Sequence, residues 1–226
     1  MYSKILATFV LLVISASFAW ADEAGSKNQI ETLGLKGYSV RTITPIYGQL
    51  LMFSLPKGFV PVYENSSEGQ YVKESVLKGE TVETWSQMIT ITGARDLAAN
   101  PNVTPQFFAG SVAGSFKRSC PKSFSSVGLG TIRISGYDAF AAVMSCGVAV
   151  PTGKQYSETM VIMVVKGESD YYTIQWAERG SASTSPINLE ENMKWTERLN
   201  ILAPVLCPIV PGELAPYPSC VNRTYI

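Results

Sequence analysis

At 226 residues, with 18 Lys and Arg set against 18 Asp and Glu, the chain has no positive surplus with which to neutralise phosphates, and this argues against nucleic-acid binding. It contains no histidine, which removes Ser-His-Asp and Cys-His nucleophiles together with most catalytic zinc sites. A hydrophobic share of 46% with 11% aromatics fits a packed core rather than disorder.

The first residues, MYSKILATFVLLVISASFAWA, set Lys4 ahead of an apolar run from Ile5 to about Phe18, closed by Ala19-Trp20-Ala21. A basic start, a short apolar segment and small residues before the cut predict a signal peptide over residues 1–21. The run is short for a membrane span, which needs roughly 20 apolar residues, and no later run is long enough, so no stable span is expected after cleavage. The predicted mature chain starts at Asp22. It loses Lys4 and no acid, which leaves 205 residues with a formal charge of −1. The expected location is the periplasm or the exterior.

Residues 22–37 read as a flexible polar arm. Strands are then predicted at YSVRTIT (38–44), QLLMFSL (49–55) and FVPVYE (59–64), separated by Pro- and Gly-containing turns. GQYVKESVLKGE (69–80) alternates as a half-buried strand does. In TVETWSQMITITG (81–93) the Ile/Thr-rich second half reads as a strand, and the first half as one helical turn capped by Thr81. A helix is expected over 104–120: Thr104 caps it, Pro105 suits its first position, and Lys117-Arg118 meet the negative end of its dipole. Phe108, Val112 and Phe116, with Ala109 and Ala113, form its core stripe.

The Gly-Leu-Gly of 125–136 reads as a turn preceding a strand. Two strands over 131–150 meet near Gly136, and a hairpin joins 155–167 to 170–179. Met160 to Val165 is apolar on both sides and should be central and covered. A second helix is predicted over 185–202 with Asn188 as its cap and Pro204 as its stop. The sum is one α+β domain over 38–204, an antiparallel sheet packed against two main helices, followed by a Pro-rich tail over 205–226.

The four cysteines, Cys120, Cys146, Cys207 and Cys220, all fall in the exported part and read as two disulfides. Three pairings are open. The prolines of CPIVPGELAPYPSC favour Cys207–Cys220 and a stapled tail, with Cys120–Cys146 joining a helix end to a strand. With no CxxC pair and no histidine, no metal ligand set is expected.

No catalytic or cofactor-binding residue is assigned. The acids Glu74, Glu80, Glu83, Asp138, Glu158 and Glu178 are scattered over wet faces and turns, where charges serve solvation. Aromatics are the remaining lead. Tyr71, Trp85, Tyr171, Tyr172 and Trp176 are nominated as a candidate partner surface, against the alternative that they pack a core.

FSLPKGF (53–59), a strand running into Leu-Pro-Lys-Gly-Phe, resembles the entry of PsbP/Mog1/DcrB-like domains. GETVETWSQMIT and DYYTIQWAERG resemble stretches of uncharacterised exported bacterial proteins. The first resemblance implies a sandwich of antiparallel sheet and helices, in a group that acts mostly as accessory or binding modules. The expected function is thus a non-catalytic periplasmic or secreted binding protein of the bacterial envelope, with another envelope protein or a peptide as partner. The alternatives are a carboxylate-based secreted hydrolase, or an enzyme inhibitor presenting the loop 207–220.

Overall fold

The computed structural model describes residues 32–33, 39–149, 155–189 and 193–222. The predicted signal peptide, 1–21, and nearly all of the predicted arm, 22–37, lie outside them. Among the described residues the chain is α+β and dominated by sheet.

A hairpin of β1 (Val40–Ile46) and β2 (Gln49–Leu55) opens the fold. β2 also pairs with β10 (Val205–Pro208), which gives a three-stranded sheet in the order β1-β2-β10. The other strands are β3 (Phe59–Ser66), β4 (Gln70–Leu77), β5 (Gln87–Ala94), β6 (Phe124–Ile134), β7 (Tyr137–Cys146), β8 (Tyr156–Lys166) and β9 (Tyr171–Ser181). They form an antiparallel seven-stranded sheet in the order β3-β4-β5-β9-β8-β7-β6.

Each face of the large sheet carries its own core. On one side Ile89, Val161, Met163, Tyr172, Ile174 and Trp176 meet Leu51, Phe53 and Leu206 of the small sheet, with Trp195, Leu199 and Leu202 of α2 (Met193–Leu202). On the other, Met144, Met160, Ile162, Val164 and Tyr171 meet Ala109, Phe108, Val112 and Phe116 of α1 (Pro105–Ser119). This double cover is why β8 is apolar on both sides: Met160 to Val165 are all buried, each large side chain contributing about 1.5–3 kcal/mol relative to exposure.

α1 follows its sequence signals. Thr104 Oγ1 accepts from the Phe107 N–H at 3.1 Å, Pro105 stands at the first position, and Lys117 and Arg118 occupy the last turn. Elsewhere the structure differs from the sequence reading. Residues 81–86 form no helical turn; Thr81 Oγ1 instead accepts from the N–H groups of Glu83 and Thr84, closing a bend. Gly128-Leu129-Gly130 is no turn but the middle of β6, where a register shift between Gly128 and Gly130 marks a bulge. Residues 185–189 are not helical; α2 is described from Met193, and residues 190–192 lie outside the description. Leu189 is nevertheless buried in the core beside Trp195.

The tail is not an appendage either, since its first residues are β10. Leu50, Met52, Val205 and Cys207, on the outer face of the small sheet, are covered by Cys220 and Tyr217. Cys207 is disulfide-bonded to Cys220 in α3 (Pro218–Val221), and Cys120, the C-cap of α1, to Cys146 at the end of β7. The favoured pairing is the one found.

Candidate functional site

The predicted aromatic surface is largely interior. Tyr171 and Tyr172 are 0% exposed, and Tyr71 and Trp176 are also buried. Both faces of β9 are covered, so the alternation that suggested a platform with two sides packs two cores instead. The hydroxyl of Tyr71 donates to Glu64, that of Tyr171 to the Val103 carbonyl, and Trp176 Nε1 to Gln87 Oε1 at 3.0 Å. Trp176 also stands edge-on to Phe59. Trp85 alone is half exposed, but its ring is occupied: the Arg179 guanidinium lies 3.7 Å from it and 4.2 Å from the Tyr156 ring on its other side. Tyr71, Tyr171, Tyr172 and Trp176 thus hold the fold from within rather than forming an outward surface with Trp85.

Tyr172 belongs to a buried polar knot that sequence reasoning missed. Asp170 is 3% exposed and accepts from the Asp96 N–H at 2.8 Å, the Gly48 N–H at 3.3 Å and the Tyr172 hydroxyl at 3.2 Å. Burial, reinforced by the Asp170 charge, pushes the Tyr172 phenol well above its ordinary range. Beside it Gln49 Oε1 accepts from the Glu168 N–H at 2.9 Å. Glycine at 167 lets the knot close, because a Cβ there would lie 2.6 Å from the buried Tyr172 ring and 3.1 Å from the Asp170 carbonyl as well as 2.1 Å from that Gln49 oxygen.

The candidate acids do not converge. Glu178 is held by Lys194 and Arg198 of α2, and Arg198 lies over the Trp176 ring. Glu158 faces Arg179 at 3.6 Å, and burial raises its carboxyl despite that cation. Asp138 pairs with the exposed Arg133, Glu80 accepts from Ser86, and Glu83 from Thr81.

Glu74, half-buried on β4, is raised above its ordinary value of 4.5 by burial alone. Its native state therefore holds the proton more tightly than the unfolded chain, and stability falls as pH rises from 4.5 through the raised value. Glu74→Gln should remove that slope: melting temperatures of wild type and variant measured across about pH 4–7 should diverge upward in favour of the variant. Parallel curves would show that the side chain is not desolvated.

The openings in the surface follow from a mismatch of widths. At about 4.8 Å per strand, three strands span about 10 Å between their outermost members and seven span about 29 Å. The small sheet and α2 therefore cannot cover the whole inner face. One opening left there is a groove of about 390 Å³ between β6 and α2, with Leu129, Ile132, Ile134 and Met163 along its floor and Leu199 and Pro204 on its wall.

β6 is also an edge, pairing among the described residues with β7 alone. The opposite edge, β3, is blunted in the usual ways: Pro61, a register shift and Glu64. β6 is longer, 11 residues, and Arg133 is its one charge. The signal was legible as the alternation Val127, Leu129, Ile132, Ile134, but two glycines disguised it as a turn.

The fold and the groove together define a sheet-dominated α+β domain with an apolar groove beside an edge strand. No protein-family profile and no curated protein sequence matches the chain. Among solved structures it is similar to LpqN of Mycobacterium tuberculosis, involved in cell envelope biogenesis, at 12% identity over 77% of this chain and 94% of that one, TM-score 0.37. It is similar also to the Ran-binding protein Mog1p of Saccharomyces cerevisiae, at 12% identity, 71% and 85% coverage and TM-score 0.39. A third is PA94 of Pseudomonas aeruginosa, of unknown function, at 10% identity, 77% and 99% coverage and TM-score 0.38. Likeness at this level says nothing of what the chain binds.

Proposed function

We propose that the protein is a non-catalytic binding or accessory module of the bacterial envelope, periplasmic or secreted, that holds an extended apolar segment of an envelope protein or peptide. The observation that carries this reading is the unpaired edge of β6 lying along the groove under α2. An added strand would satisfy the free N–H and C=O groups of β6, while every second side chain entered the groove. The two disulfides support an oxidising compartment, and the dispersal of the acids favours recognition over hydrolysis.

The test uses the chain from Asp22 and a panel of extended peptides alternating Leu or Val with Ser or Thr, read by fluorescence anisotropy. Ile132→Lys should weaken the best peptide by at least about tenfold, since a buried unpaired charge is costly, with little change in melting temperature. Undiminished binding by both Ile132→Lys and Leu129→Asp would overturn the reading.

A second reading, an inhibitor presenting the loop 207–220, is favoured by one feature. Leu214 is 81% exposed on a loop closed by the Cys207–Cys220 disulfide and braced where Ser219 N–H donates to Glu213 at 2.7 Å.

A further inference from the structure

The same mismatch of widths acts on the other face of the large sheet. A single helix is about 10–12 Å across; α1 lies over β6, β7 and β8 and reaches the edge of β9 through Phe108, which leaves β4 and β5 uncovered by it. There a cavity of about 330 Å³ has formed. None of the described residues that line it is charged. Asn65, Gln70, Thr92, Thr173 and Gln175 present amides and hydroxyls, and Phe108 and Val112 of α1 give an apolar wall.

Its floor is ordered. Val72, Thr92 and Thr173 sit in one row across β4, β5 and β9. The hydroxyls of Thr92 and Thr173 are 2.7 Å apart, and Gln175 Nε2 donates to Thr173 Oγ1 at 3.1 Å. Two hydroxyls carry two protons, and the bond between them consumes one. Among the described residues the second proton and Gln175 Oε1 remain as a donor and an acceptor on the same floor. The wall is ordered as well: the Phe108 ring stacks on buried Tyr171, centroids 5.3 Å apart and planes 6° from parallel.

We infer that this cavity is a binding site for a neutral sugar. A charged ligand would lose its hydration without a countercharge in the lining. A wholly apolar one would offer nothing to the second hydroxyl proton and to Gln175 Oε1. Adjacent sugar hydroxyls each donate and accept, matching the paired donor and acceptor on the floor, while the C–H face of a pyranose ring packs on Phe108 and Val112. Because both surfaces are fixed before binding, little ordering cost remains. The site is separate from the β6 groove and lies on the opposite face of the sheet, so it stands or falls independently of the peptide reading.

The test is a titration of isotopically labelled mature chain with cellotetraose and with chitotetraose, followed by amide NMR, up to about 10 mM so that even weak binding registers. One or both sugars should shift the signals of Phe108, Thr92, Thr173 and Gln175. Thr92→Val, which keeps the shape and removes a hydroxyl, should weaken binding about 3–10-fold, and Thr92→Val with Gln175→Met should weaken it further, at unchanged melting temperature. Ile132→Lys should leave sugar binding intact. The inference is overturned if neither sugar moves these signals, if the double variant binds as wild type does, or if a sulfated heparin tetrasaccharide binds as tightly.

Discussion

Asp170→Ala should lower the melting temperature of the oxidised protein by about 10 °C. The carboxylate receives two backbone N–H groups, from Gly48 and Asp96, and the Tyr172 hydroxyl. These come from the β1–β2 turn, the segment after β5 and β9, so one side chain ties the small sheet to the large one. Truncation forfeits three hydrogen bonds to a charged acceptor, each worth about 1.5–3 kcal/mol. The Tyr172 hydroxyl nevertheless keeps the Ile46 carbonyl at 3.2 Å, and the Gly48 and Asp96 N–H groups belong to exposed residues that water reaches. Allowing for water entering beside the half-exposed Tyr47-Gly48 turn, the loss is about 3–5 kcal/mol, and a chain of this size moves about 2–4 °C per kcal/mol. Asp170→Asn keeps one acceptor oxygen and should lose roughly half as much. Thermal and urea denaturation of the three proteins decide the matter: an alanine variant melting within a degree or two of wild type would mean that the knot is ornamental.

The second large effect is expected on removing the Cys207–Cys220 link. Replacing both cysteines by serine frees a loop with a sequence separation of 13, which the chain-entropy model values at about 3 kcal/mol. The bridge also holds Cys220 and Tyr217 over Leu50 and Met52, so its loss lets water reach the outer face of the small sheet. A fall in melting temperature of about 6–12 °C should result, with faster proteolysis at residues 209–217. If melting and cleavage are both unchanged, the covering residues hold without the covalent tie.

Where local chemistry and tertiary burial agree, the structure was legible in advance. α1 is the plainest case, because cap, first-turn proline and terminal cations all point one way at Thr104, Pro105, Lys117 and Arg118. The burial of β8 was equally plain in its unbroken apolar run. Misreadings arose where one residue type serves two ends. Gly128 and Gly130 punctuate turns in most settings, yet here they bulge a long strand. The prolines after Cys207 hid a four-residue strand behind the look of a tail. Asn188 offered a cap where the chain instead stays outside any helix and buries Leu189. The site was the least legible of all, because aromatic alternation on β9 describes a sheet covered twice, and the two cavities arise from the widths of whole layers, which no local window of sequence contains.

The pairing of β2 with β10 has a temporal meaning. β2 is made early, but its partner from Val205 to Pro208 is about 150 residues downstream, so during synthesis one border of the small sheet waits, bare, for most of the chain to emerge. Until then Leu50 and Met52 have only Ile43 of β1 against them, and the nascent molecule is at its most adhesive. A chaperone acting on this protein would find its work there, and a ribosome stalled before codon 205 would leave behind a fragment that sticks rather than one that folds.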